Sequence, residues 1–294
     1  KGAAQALLGK VLLYHGTYDS AKFGEAATAL NQVILSKNYG LVTGADYTNL
    51  FEIDGENAKE AVFEIQYTSV EAATWVDENG TPTISISSGT YFPKFNGPRS
   101  PYDDPVYDAG WGLCLPSVEL YDLFDATDAR RDVTFYDLRN DQDRYSPGRD
   151  DTGLFNKKYM PRLEPQRAGS DPLNYDNNYR AIRYADVLLM AAEAEAQSGG
   201  SNGEDYLNEV RARAYGDNSH DYTASEGTLL DAIYTERRKE LAGEGHRFFD
   251  LVRTKKAAAA IDGFTKDKNE VFPIPLIELE LALAQDRWKQ NPGY

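Results

Sequence analysis

The stretch Thr235–Arg253, TERRKELAGEGHRFFDLVR, constrains this chain more than any other. Leu229, Leu230, Ile233, Arg237 and Leu241 recur at three- and four-residue spacing, which places them on one helix face. Gly243 and Gly245 end that helix, because glycine takes the left-handed cap conformation at little cost. Phe248, Leu251 and Val252 then open a second apolar stripe. Glu236, Arg237, Arg238, Glu240, Glu244, His246, Arg247, Asp250 and Arg253 crowd the junction, and Arg237 falls in line with the leucines. A guanidinium on a core face needs carboxylates in fork geometry, and Glu240, Glu244 and Asp250 are in reach. The stretch therefore reads as an ion-paired helix corner that fixes how the last helices dock. A catalytic Glu/His/Arg site is the sharper alternative, but dense Arg/Glu helices are usually paired or solvated faces.

Charge and cysteine usage set outer limits. With 31 basic against 47 acidic residues, the net charge of −16 argues against nucleic acid and against an anionic membrane surface as partners. The single cysteine, Cys114, excludes an internal disulfide framework and a multi-cysteine metal site. His15, His220 and His246 have no metal-ligand spacing. No nucleophile elbow, Walker loop or dinucleotide fingerprint occurs, and no cofactor is implied. Asp141, Asp143, Asp150 and Asp151 sit in DQDRYSPGRDD, which lacks the glycine and glutamate positions of an EF-hand and reads as a solvated acidic loop. Carboxylate pairs for glycoside hydrolysis abound among 47 acids, but no spacing singles one out. No apolar run is long enough to span a bilayer.

Read in order, the chain opens on a helical hairpin. Ala4, Leu7, Leu8, Val11 and Leu12 form one expected inner face, and Phe23, Ala26, Leu30, Val33 and Ile34 the facing one. HGTYDSAK supplies the turn, and alanines on both faces allow close approach, as in a tetratricopeptide pair. A second pair recurs at 181–197 and 204–214, with Ala185, Leu188, Leu189, Ala192 and Ala196 facing Leu207, Val210 and Ala214. Such pairs cannot bury their faces alone and must stack. Between them, Phe63, Ile65 and Tyr67 alternate with Glu64 and Gln66, which predicts a half-buried strand with the apolar set inward. Thr83–Ser87 predicts a shorter strand, and Pro116–Phe124 a helix opened by proline. The fold class expected is mostly α, with tetratricopeptide-like helix pairs decorated by long loops and a small amount of β-structure.

The loops carry the ligand chemistry. Seven aromatics fall in the 37 residues from Trp75 to Trp111, about 19% against 12% for the whole chain. They are interleaved with Asp77, Glu78, Asn79, Asn96, Arg99, Asp103, Asp104 and Asp108. Sugars present C–H faces to rings and hydroxyl pairs to carboxylate, amide and guanidinium groups, so this mixture suits a glycan platform. The candidate ligand-binding residues are Trp75, Tyr91, Tyr102, Tyr107 and Trp111; the bland alternative is that such rings pin loops to the helical body.

ERRKELAGEGHRFFDLVR is similar to the ERxxELxxEGxRxxDLxR signature of the SusD/RagB-like family of Bacteroidetes outer-membrane nutrient-binding lipoproteins. KGAAQALLGKVLLY, PSVELYDLFDATDARRD, RYADVLLMAAEAEAQSG with YLNEVRARA, FPIPLIELELA and KQNPGY resemble other family segments in the same order. The resemblance covers residues 1–67, 111–135 and 180–294. It implies a single SusD-like domain over 1–294 that lacks its N-terminal part, with 68–179 as a loop-rich ligand-binding insertion. The missing part would include a signal peptide, a lipid-bearing cysteine and an N-terminal helical segment. The implied function is capture of oligosaccharide or polysaccharide at the cell surface and its transfer to a partner TonB-dependent transporter, without catalysis. Membrane contact would come only through the lipid anchor. A secreted glycoside hydrolase and a helical-repeat protein-binding scaffold are the alternatives.

Overall fold

The computed structural model describes residues 1–70, 74–76, 79–85, 88–163, 174–283 and 288–294. In chain order it contains α1 (Gly2–Gly16), α2 (Lys22–Leu35), α3 (Ala45–Thr48), β1 (Ala61–Ile65), β2 (Thr74–Val76), β3 (Pro82–Ser85), α4 (Val118–Tyr121) and α5 (Arg130–Thr134). There follow β4 (Phe135–Asp137), β5 (Leu154–Asn156), β6 (Tyr179–Arg183), α6 (Tyr184–Ser198), α7 (Gly203–Tyr215), α8 (Leu229–Glu240), α9 (Arg247–Arg253), α10 (Ala257–Ala260) and α11 (Leu276–Leu283). The chain divides into two units, Lys1–Glu244 and Gly245–Tyr294. In the second unit α9 carries the Arg253–Asp250 ion pair (2.7 Å) and Phe248 meets Phe264.

In the first unit α1 and α2 form the expected hairpin, and α2, α6, α7 and α8 join it in one apolar core. The face of α2 predicted to be inward is buried throughout: Phe23, Ala26, Leu30, Val33 and Ile34. Helix α6 is buried from Tyr184 to Glu195, as a helix covered on all sides must be. The inner face of α1 differs from the expected one. Ala6, Gly9, Leu13 and Gly16 are buried, while Leu7, Leu8 and Val11 are 54%, 52% and 57% exposed. The reason is steric. A Cβ on Gly9 would lie 2.5 Å from Leu30 Cγ, and one on Gly16 2.5 Å from a Phe23 ring carbon. The α2 side chains fill the space that larger α1 residues would need, so the glycines face the partner and the leucines turn out.

Three two-stranded antiparallel sheets edge the helical body: β1–β6, β2–β3 and β4–β5. Strand β1 presents the opposite face to the one predicted. Val62 and Glu64 point inward, while Phe63 is 50% and Ile65 41% exposed. Glu64 is drawn inside by Asn57 N–H (3.1 Å), Asn178 Nδ2 (3.2 Å) and Arg180 (3.6 Å), and β-bulges flanking Phe63 shift the register. Helix α4 is shorter than Pro116–Phe124; Ser117 Oγ caps it by accepting from Leu120 N–H at 3.1 Å.

The charged corner is an ionic core inside the first unit. Glu240 Oε1 accepts from Arg183 (3.0 Å) and Arg213 (2.5 Å), and its Oε2 accepts from Arg130 (3.2 Å). Arg130 also grips Asp128 with two bonds of 2.8 Å and reaches Glu236. Arg183 makes two bonds of 2.7 Å to Glu244 and pairs with Glu60, and Lys158 adds a third contact to Glu244 at 2.7 Å. Burial alone would raise the Glu240 carboxyl, but Arg213, Arg183 and Arg130 outweigh it and hold the group far below the usual carboxylate range. Arg237 is buried as its helical phase requires, and it donates to Asp186 of α6 at 2.9 Å. Its expected partners Glu240 and Glu244 face Arg130, Arg183, Arg213 and Lys158 instead. Those cations come from chain segments far from Thr235–Arg253, which is why spacing within one helix could not name them.

Candidate functional site

The loop between β3 and α4 is folded back on itself by main-chain hydrogen bonds. Thr90 exchanges two with Tyr175, at 2.8 and 2.9 Å. A short 3-10 turn, Phe92–Phe95, follows with Pro93 in its first turn. Residues 110–114 then run back along 94–98: Trp111 N–H donates to Lys94 O (2.6 Å), Gly112 N–H to Gly97 O (2.9 Å) and Leu113 N–H to Phe95 O (3.0 Å). This approach demands Gly97 opposite Gly110, since a Cβ on Gly110 would lie 2.6 Å from Gly97 Cα.

Buried polar groups fix the underside. Lys94 Nζ donates to Asp108 (2.7 Å) and to Ala109 O (2.7 Å), and Tyr175 O–H donates to Asp108 at 2.8 Å. Burial tends to raise the Asp108 carboxyl, but Lys94 and Tyr175 more than offset it and hold the group below its ordinary value. Asn96, also buried, donates to Phe92 O (2.9 Å) and accepts from Asn156 Nδ2 (3.0 Å), which in turn donates to Gly243 O (2.9 Å). The loop is thereby tied to the end of α8.

Above this base three rings lean together. Tyr91 lies 6.5 Å from Trp111 at a 35° tilt, Phe95 5.3 Å from Trp111 and 5.5 Å from Tyr91. Tyr91 is 40% exposed, while Phe95 and Trp111 are half-buried. Phe92 turns inward onto Tyr159 (5.2 Å) and Tyr179 (5.7 Å) and anchors the turn. A face of this kind offers flat apolar surface with a phenol and an indole N–H at its edge, which suits the C–H side of a sugar.

Of the five candidate residues the structure brings Tyr91 and Trp111 together. Tyr102 and Tyr107 belong to a different cluster, built on Asp104. That carboxylate accepts from Tyr136 O–H (2.6 Å), Tyr102 O–H (3.1 Å), Val106 N–H (2.9 Å) and Tyr107 N–H (3.0 Å). Burial opposes ionisation, yet these donors lower the Asp104 carboxyl to about 2. Tyr107 packs edge-on against Tyr136 at 5.1 Å, and burial pushes its phenol up to about 12. Trp75 lies in β2, with its side chain outside the described part of the structure. Phe95 completes the ring face and was not singled out by sequence; its four-residue spacing from Tyr91 was a signal only if the intervening turn was helical. Lys94 and Asp108 were equally illegible, because their pairing depends on the loop's return path. In the acidic loop Asp151 is engaged by Tyr145 O–H (2.9 Å) and Gly153 N–H (2.8 Å). Among the described residues no group of three or more His, Cys, Asp or Glu is placed to hold a metal, and no helix is long and apolar enough to cross a membrane.

Stacked helix pairs that hold a loop-borne ring face over an ionic core define an α-helical, tetratricopeptide-like scaffold. The chain belongs to the SusD family, whose family model matches residues 134–294. It is 29% identical to SusD-like protein P2 of Formosa agariphila over all of its length and 59% of the relative's. Among solved structures it is similar to a laminarin-binding SusD-like protein, with 37% identity, a TM-score of 0.82, and coverage of 100% of this chain and 62% of that one. It is also similar to surface glycan-binding protein A from Bacteroides thetaiotaomicron in complex with laminarihexaose, with 30% identity, a TM-score of 0.80, and coverage of 98% and 62%. The chain thus spans about three fifths of the length of these relatives.

Proposed function

We propose that this chain is the ligand-bearing part of a surface lipoprotein that captures oligosaccharide and passes it to a partner TonB-dependent transporter in the outer membrane. The observation that carries the reading is the Tyr91–Phe95–Trp111 face, held open on irregular backbone by buried Lys94, Asn96 and Asp108. Residues 68–179 are the glycan-binding insertion of a single SusD-like domain, with Trp75 as a further stacking ring and Tyr102 and Tyr107 as the frame that shapes the adjoining loop. Membership of a family whose relatives bind laminarin and laminarihexaose supports the reading and makes a laminarin-type glycan the first ligand to try. The role is binding rather than catalysis: Asp108 and Asp104, the buried or half-buried acids of this loop, are committed to Lys94, Tyr175, Tyr136 and Tyr102, not poised as an acid/base pair.

The test is calorimetric titration with laminarihexaose and a panel of soluble polysaccharides, with reducing-end release assayed in parallel. Binding without release is expected. Release of reducing ends would instead make the chain a glycoside hydrolase, and neither binding nor release would favour the protein-binding scaffold.

A further inference from the structure

Nearly every arginine in this acidic chain is neutralised. Arg130, Arg180, Arg183, Arg213 and Arg237 are buried in ion pairs, and the exposed or half-exposed Arg131, Arg139, Arg144, Arg149 and Arg238 also have carboxylates within 4 Å. Among the described arginines Arg99 stands apart, with an exposed side chain that meets no carboxylate and no hydrogen-bond acceptor. It is nevertheless positioned. Its main chain bridges to Gly110, and its carbonyl accepts from Ser146 N–H at 3.3 Å. Its side chain lies in a trough kept clear by two glycines. A Cβ on Gly112 would sit 3.1 Å from Arg99 Cγ, and one on Gly148 3.3 Å from Nη1. Gly112 directly follows Trp111 and has φ +61°, a conformation that also favours glycine.

A guanidinium held in place, left unpaired and set beside a stacking ring is a seat for an oxyanion, because its fork matches a carboxylate or sulfate in two parallel hydrogen bonds. We infer that the glycan carries an anionic substituent, a uronate carboxylate or a sulfate ester, which Arg99 takes while the sugar stacks on Trp111 and Tyr91. This rests on the glycan-platform reading above and adds the charge class of the ligand. The net charge of −16 does not forbid it. Screening reaches only about 8 Å at physiological ionic strength, so the adjacent guanidinium governs the local field.

Three probes separate the possibilities: neutral laminarihexaose, an oligogalacturonate bearing carboxylates, and a carrageenan oligosaccharide bearing sulfate esters. Each is titrated into wild type, Arg99→Gln, Arg99→Lys and Trp111→Ala, with melting curves as fold controls. At least one charged oligosaccharide should bind, and its affinity should fall with salt. Arg99→Gln should weaken it about tenfold, since a charge-assisted pair is lost. Arg99→Lys should weaken it less, laminarihexaose should bind both Arg99 variants as it binds wild type, and the preferred charged probe identifies the substituent. Charged oligosaccharides that fail to bind while laminarihexaose does, or that bind Arg99→Gln as well as wild type, would overturn the inference and leave the ring platform standing. Binding of every probe left unchanged by Trp111→Ala would overturn the platform itself.

Discussion

Around Glu240 three guanidiniums share one buried carboxylate, whereas around Trp111 three rings lean on one another with part of their faces open to water. The first region holds segments from β1 to α8 in register; the second is held by other residues and holds nothing in return. A charge-dense motif is thus the internal joint of this fold, and the chemistry that meets a ligand sits in loops with no motif at all. Changes at the joint should therefore destroy stability and leave affinity per folded molecule intact, and changes at the ring face should do the reverse.

The largest effect is expected from Glu240→Ala, which strands Arg130, Arg183 and Arg213. Breaking a buried pair costs about 3–5 kcal/mol, and three orphaned cations put this variant at or above the upper end. Chemical denaturation measures it. Arg237→Ala strands Asp186 and should cost about 3 kcal/mol on the same scale. Loss of glycan affinity by an Arg237→Ala protein that melts normally would contradict the assignment of this corner to the scaffold.

Acid should attack the joint from the same direction. Glu240 and Asp128 are held below their ordinary values of 4.5 and 3.8, and Asp104 and Asp125 fall to about 2. For a carboxylate with a depressed folded pKa the unfolded chain binds protons first, so its stabilisation is complete above the unfolded value and is lost as pH falls through the folded one. Denaturation curves should show stability level from neutrality to about pH 5 and falling continuously towards about pH 2, with a shallower slope in Glu240→Gln. Stability that rises below pH 4 would contradict the paired arrangement.

The sequence made the helical half legible because its signals are local. Three- and four-residue spacing found α2, α6, α7 and α8, and the glycines after α8 marked its end. Two faces were misread for one shared reason. Leu7, Leu8 and Val11 look like a core stripe until Leu30 and Phe23 are seen to fill the space over Gly9 and Gly16. Phe63 and Ile65 look inward until Arg180, 116 residues beyond Glu64, draws that carboxylate inside. In both cases the deciding group is remote in sequence. The ring face had the same fate: composition found the loop, but the pairing of Tyr91 with Trp111, and the separation of both from Tyr102 and Tyr107, follows from a hairpin return that no local pattern records.

Smaller effects sharpen the contrast. Lys94→Met removes the cation beneath the ring face and leaves Asp108 with Tyr175 alone among its side-chain donors described above; it should cost about 1.5–3 kcal/mol and also weaken glycan binding, because the turn carrying Phe95 loosens. At the other extreme Leu8→Gln, on the exposed side of α1, should change stability by no more than about 0.5 kcal/mol, whereas Leu13→Ala should cost about 2–5. Comparable losses for the two would mean that the outer face of α1 is covered in solution.

The most direct measurement is calorimetric titration of laminarihexaose, or of any glycan the screen identifies, against wild type, Tyr91→Ala, Trp111→Ala and the double variant, with melting curves for each. Each engaged ring should contribute about 1–3 kcal/mol, by analogy with bases stacked on aromatic side chains. The double variant should then bind about two orders of magnitude more weakly at an almost unchanged melting temperature, and for a neutral glycan the loss should be nearly independent of salt. Unchanged affinity in the double variant would contradict the central claim that these rings hold the ligand. Lost affinity with a collapsed melting temperature would contradict it equally, by showing that the rings hold the loop.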